Sequence, residues 1–186
     1  MGQFLAMGLA HEMRISLDGM RKEKISKEEL RQGIQESLLF DLTLYDEAEM
    51  GEYLLFTIKN EVLETGLIPF LEVLYPMVYR EHGVEDYRNL LKQLRSTPLA
   101  EWLNLAQEDR HYAFQFDRYG KSDYIRIPKD FRPVIRVHPN YLMLYAGSGK
   151  IATEGIEDFM RFFKLCIHAT FKEHPLAKAI RVYITG

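Results

Sequence analysis

Cysteine is nearly absent: the 186-residue chain has one, Cys166. A lone thiol excludes an internal disulfide framework and fits a reducing compartment, so a cytoplasmic location is expected. Membrane-length apolar runs are missing as well. The stretch Leu67–Tyr79 (LIPFLEVLYPMVY) is strongly apolar, but it carries Glu72, Pro69 and Pro76. It is also shorter than the about 20 residues of a membrane span. The opening MGQFLAMGLAHEMRI lacks a basic leader, and His11, Glu12 and Arg14 break its apolar run, so it does not read as a signal peptide. Ala6 stands where a myristoylation signal needs Ser or Thr. Net positive charge is lacking too. The balance is −3 with both signs interspersed, which disfavours nucleic acid as the main ligand. Internal repeats, low-complexity segments and linkers are not found, and the length suits one sizeable core, so residues 1–186 are expected to form a single domain.

Motifs that carry chemistry are equally scarce. Ala146–Lys150 (AGSGK) matches a phosphate-binding loop only at Gly149 and Lys150, with Leu144 and Ile151 at positions that need glycine and a hydroxyl. Cys166, His168 and His174 have a metal-like spacing. On one helix, however, Cys166 and His168 point about 200° apart and cannot share an ion. His11-Glu12 lacks the second histidine of a zinc-protease helix, and no nucleophile elbow occurs. Cys166 sits beside Ile167 on an apolar helix face, as a buried inert thiol would. No metal or cofactor is therefore expected. Asp109-Arg110-His111, at the start of a strand, is the most suggestive carboxylate–histidine arrangement.

Aromatic residues, by contrast, are abundant, with 11 Tyr and 11 Phe, which argues for a folded globule. Gln3–Ile15 reads as a first strand and Ser16–Lys24 as a charged turn. Ser26 stands three before Glu29, a capping-box spacing that opens a helix over 27–38. Leu39–Tyr45 alternates like a half-buried strand, Asp46–Glu52 reads as an acidic link, and Tyr53–Lys59 as a second strand. The two strands would form a hairpin turning near Met50-Gly51. Asn60 caps a short helical segment, and Leu67–Tyr79 follows as the central packing helix. On its wheel Phe70, Leu71, Val73, Leu74, Met77 and Val78 face one way, while Pro69, Glu72 and Pro76 face the other. Val84–Leu94 and the segment after Pro98 are amphipathic helices. From His111 the period changes to two. Short strands are expected at Asp123–Ile127, Pro133–Val137 and Tyr141–Tyr145, separated by Pro128-Lys129-Asp130 and His138-Pro139-Asn140. A long helix from Thr153 to about Lys172 and a strand at Ala179–Ile184 complete the chain. The expected architecture is α+β: a mainly antiparallel sheet with helices packed on one face.

Two surface clusters remain. Asp41, Asp46, Glu47, Glu49 and Glu52 form an acidic segment able to steer a basic partner. Arg118, Lys121, Arg126, Lys129, Arg132 and Arg136 interleave with Tyr119, Tyr124 and Phe131, a pattern some single-strand binders share. The two clusters can also meet each other, within one chain or across a homodimer. The favoured reading is a non-enzymatic protein-binding module, an immunity- or inhibitor-like partner of a basic protein that uses the acidic segment. The alternative is a small cytoplasmic enzyme, hydrolase-like, with a non-local site built on His111 and Asp109 or on His11 and Glu12.

Overall fold

The structure, a computed structural model, describes residues 4–78, 84–108, 116–117, 123–127, 135–146, 157, 160–161, 164 and 173–185. Its elements run β1 (Phe4–Ser16), α1 (Leu17–Lys22), α2 (Lys27–Ser37), β2 (Tyr45–Met50), β3 (Tyr53–Ile58), α3 (Asn60–Val78), α4 (Val84–Ser96), α5 (Leu99–Glu108), β4 (Phe116–Asp117), β5 (Asp123–Ile125), β6 (Ile135–Ala146) and β7 (Ile180–Thr185). All strand pairings are antiparallel, and the expected α+β class is observed. The expected helix from Thr153 lies largely outside the described residues, as does the Ala146–Lys150 loop beyond Ala146.

β1 organises the sheet. β6 runs along one of its edges, while β7 and β3 lie end to end on the other, pairing with Phe4–Leu9 and Glu12–Ser16. β2 continues outward from β3, and β4 and β5 pair with the far side of β6. From Leu5 to Ala10 every residue of β1 is buried, so that half of the strand is covered on both faces. The ladder to β6 slips between Ala10 and Glu12, leaving His11 as the extra residue of a bulge. Beyond the bulge the strand alternates. Met13 and Ile15 are fully buried, whereas Arg14 is exposed. The Tyr45 hydroxyl donates to the Ala10 carbonyl at 2.8 Å, satisfying a backbone acceptor at the bulge.

Gly8 has a reason to be glycine. A Cβ there would come within 2.8 Å of Tyr183 Cε1 and 3.1 Å of the Leu142 carbonyl oxygen. The Tyr141 and Tyr183 rings stack beside it with centroids 4.3 Å apart, filling the space that the missing side chain leaves.

Several local expectations are corrected by the structure. Leu39–Tyr45 is not a strand. Leu39 takes a left-handed φ of 55°, and the Asp41 side chain accepts from Thr43 N at 3.1 Å, closing a 3-10 turn over Leu42–Leu44. The strand is instead the acidic stretch Tyr45–Met50, and its hairpin turns at Gly51, whose φ is +59°. Ser16–Lys24 holds the helix α1, because the Ser16 side chain accepts from Gly19 N and caps it. Residues 60–78 form one continuous helix, Gly66 and both prolines included. Pro69 is exposed and Phe70, Leu71 and Leu74 are buried, as the wheel requires, but Val73 is 45% exposed and Tyr75 is fully buried. Finally, His138-Pro139-Asn140 is not a turn. β6 runs straight through it, opposite the β1 bulge and between the stretches that pair with β5 and β4. A proline is tolerated in a strand at such an interruption.

α2 begins with the capping box expected at Ser26 and Glu29. It buries Leu30 and Ile34 and packs on β5, and the Ser37 hydroxyl donates to the Arg126 carbonyl at 2.7 Å. α3 packs against α4, α5 and a 3-10 turn at Pro175–Ala179. The buried apolar residues of these elements and of β1, β3, β6 and β7 form one cluster.

Candidate protein-binding surface

The acidic segment divides by strand alternation. Paired residues in an antiparallel ladder share a face. Glu47 pairs with buried Phe56 and Glu49 with buried Leu54, so both carboxylates lie on the side where α2 packs. There Arg31 Nε donates to Glu47 Oε2 at 2.7 Å and its Nη2 to Oε1 at 2.9 Å, a two-point contact. Lys27 Nζ pairs with Glu49, and this hydrogen bond is the main reason the Glu49 carboxyl titrates below its ordinary value. Asp41 accepts from the Thr43 hydroxyl at 2.5 Å and from Lys178 Nζ at 2.9 Å, and these contacts lower its carboxyl in that order of size. Glu47 and Glu49 thus fasten α2 to the hairpin, and Asp41 fastens the 3-10 turn before β7 to the turn that leads into β2.

Asp46 and Glu52 differ. Both are exposed, and among the described residues neither has an ion-pair partner. Asp46 pairs with Thr57 and points to the side opposite α2. Ala48 and Met50 share that side, with Tyr53 and the buried Leu55 beside them on β3. Met50 is 63% exposed and its cross-strand mate Tyr53 is 41% exposed. These two apolar residues were not among the sequence candidates. The signal for them was the alternation of Asp46–Met50, which is visible only once that stretch is recognised as a strand.

Exposed residues continue on the same side of the sheet, among the described residues. Arg14 on β1 is exposed and donates to Glu12 Oε1 at 2.5 Å. His138 and Arg136 on β6 are exposed, as is Tyr124 on β5. The Arg136 guanidinium lies 5.7 Å from the Tyr124 ring centre, and its Nη2 donates to the Tyr124 hydroxyl at 3.2 Å. Of the other basic and aromatic candidates, Arg126 is exposed just after β5. Arg118, Lys121, Lys129, Arg132, Tyr119 and Phe131 lie outside the described residues.

The histidine candidates are not gathered into one place. His11 is half-buried in the bulge, where burial lowers its pKa despite the opposing charge of Glu12. His174 caps the Pro175–Ala179 turn, its Nδ1 accepting from Leu176 N at 3.2 Å, with its ring 5.4 Å from that of Phe70. Asp109, His111, Cys166 and His168 lie outside the described residues. Among the described residues no group of three His, Cys, Asp or Glu side chains is placed to hold a metal. A cleft of about 300 Å³ between α3, α4 and α5 is lined by Leu67, Leu94 and Trp102 with Glu64 and Arg95. Another, of about 420 Å³, lies between the end of α2 and β7 against Tyr141, Arg181 and Tyr183. Neither lining, as described, sets a histidine beside a carboxylate. Also among the described residues, no helix is long and apolar enough to cross a membrane.

Comparison with known proteins returns no match: no family model fits the chain, and no curated protein or solved structure is significantly similar to it.

Proposed function

We propose that the chain is a non-enzymatic protein-binding module, cytoplasmic as its single cysteine suggests, whose β2–β3 hairpin takes a protein partner presenting basic groups. An immunity- or inhibitor-like protein acts in this way on its target. The observation that carries the reading is the side of the hairpin opposite α2, where exposed Met50 and Tyr53 share one surface with exposed Asp46. Aromatic and methionine side chains supply apolar contact area at interfaces. An acidic group beside them, with no ion pair among the described residues, adds steering and register. The paired carboxylates Glu47 and Glu49 contribute to holding the hairpin and not to its free charge. Asp46 and Glu52 are therefore the acidic residues that meet a partner.

Capture from nuclease-treated native lysate tests this. The wild-type chain is compared with a variant carrying Asp46→Lys and Glu52→Lys, and both are checked for an unchanged circular dichroism spectrum. Loss of a captured protein in the variant is the expected result. An identical captured set from both chains overturns the assignment of the hairpin.

A further inference from the structure

On the side of the sheet opposite α2, Asp46 and Arg136 are exposed charges at opposite corners. Asp46 leads a row that crosses Thr57 and Glu12 and ends at Asn140. Met50 leads a row that crosses Tyr53 and Ser16 and, by the register of β1 with β6, ends at Arg136. Asp46 and Arg136 thus sit on one diagonal, and Met50 and Asn140 on the other. Between them lie Leu55, itself buried, and the internally neutralised Glu12–Arg14 pair. A uniformly basic partner drawn to Asp46 would also meet Arg136 and be repelled there. A face carrying the same two corners answers both charges.

We infer that the partner of this face is a second copy of the chain. The inference rests on the reading of this side of the sheet as a protein-binding surface. With strands about 4.8 Å apart and a rise of about 3.4 Å per residue, the four corners span roughly 14 Å by 14 Å. A two-fold axis lying in the plane of the face, along the Met50–Asn140 diagonal, then sets Asp46 of each copy over Arg136 of the other. That diagonal lies at about 45° to the strands, so the strands of the two copies cross at about 90°, one of the two arrangements that packed sheets adopt. Met50 falls on the axis and meets its own equivalent, and the interface is isologous. The patch is smaller than the about 800 Å² per partner of a standard interface, so the dimer is reversible and sensitive to salt.

Sedimentation velocity on the full chain, from about 5 µM to about 500 µM, spans the range of such a weak interface. The sedimentation coefficient of the wild-type chain is expected to rise with concentration, and the rise to shrink in about 0.5 M salt. Asp46→Arg and Arg136→Asp should each weaken the dimer by about tenfold or more, since each sets like charges against one another at both contacts. An equimolar mixture of the two variants should restore it, because both contacts in the mixed dimer again join opposite charges. Both positions are exposed, and matching melting curves confirm that the variants fold. A wild-type chain that stays monomeric throughout overturns the inference, as does a mixture no better than its components or association indifferent to salt. If the dimer fails while Asp46→Lys with Glu52→Lys still abolishes capture from lysate, only the identity of the partner falls. If both fail, the binding surface itself is wrong.

Discussion

Neighbouring side chains on α3 show how little of a residue's role follows from its type. Leu74 is fully buried, and it belongs to the cluster shared by helices and sheet. Truncation there removes apolar contacts that the packed surroundings cannot refill, so Leu74→Ala is expected to cost about 2–5 kcal/mol by urea denaturation. Glu72, two residues earlier, is part-exposed and pairs with Arg95 on α4. Partly exposed ion pairs contribute little, so Glu72→Gln should change stability by less than about 1 kcal/mol. If Glu72→Gln proves the more damaging of the two, the bridge between α3 and α4 matters more than the apolar face. The opposite orientation of these residues was legible from helical periodicity. The partner of Glu72 was not, because periodicity assigns a face and says nothing of what faces it. The same limit applies to Val73, which the wheel set among the apolar residues but which is 45% exposed.

Elements with strong local signals were legible, and those decided by long-range pairing were not. The Ser26–Glu29 capping box marked the start of α2, and both of its reciprocal hydrogen bonds form. β2 escaped because three of its six residues are acidic and it lies at the edge of the described sheet. Charge suits such an edge, since it discourages unwanted pairing, but it hides the strand from a hydrophobicity pattern. β6 was divided in two by Pro139, whose tolerance depends on the bulge in a strand more than a hundred residues away. The 3-10 turn at Pro175–Ala179 adds a titratable cap. His174 must keep Nδ1 unprotonated to accept from Leu176 N. Burial lowers its pKa below the ordinary 6.5, and His11 shifts the same way for the same reason. The unfolded chain therefore binds protons first as the pH falls. Stability should be full above about pH 6.5 and decline as the pH drops below it toward the lower folded values. Urea midpoints measured between about pH 8 and pH 5 test this, and His174→Asn, which keeps a capping acceptor that does not titrate, should flatten part of the decline. A midpoint independent of pH across this range would show that neither histidine is linked to folding.

At the scale of the molecule, helices from both halves of the chain share one apolar cluster with the sheet. Unfolding is expected to be a single cooperative transition, which tests the expectation of one domain. Trp102, the sole tryptophan, reports on α5, whereas far-ultraviolet dichroism reports on all elements. Coincident urea transitions from the two probes are the predicted outcome, and separated ones would divide the chain into two folding units. The α+β class was legible because the change of period after the helical middle is strong. The strand order was not, since alternation carries no information about which strands are neighbours. The central place of β1 also bears on how the protein is made. β1 leaves the ribosome about 160 residues ahead of β7, the strand that closes its first half. At synthesis rates of about 5–20 residues per second, that is roughly ten to thirty seconds. During this interval the edge of the apolar run Phe4–Ala10 that β7 takes stays open. A nascent chain in this state is a natural client for ribosome-associated chaperones, and slowing translation ahead of Ile180 should lower the yield of folded protein more than slowing it elsewhere.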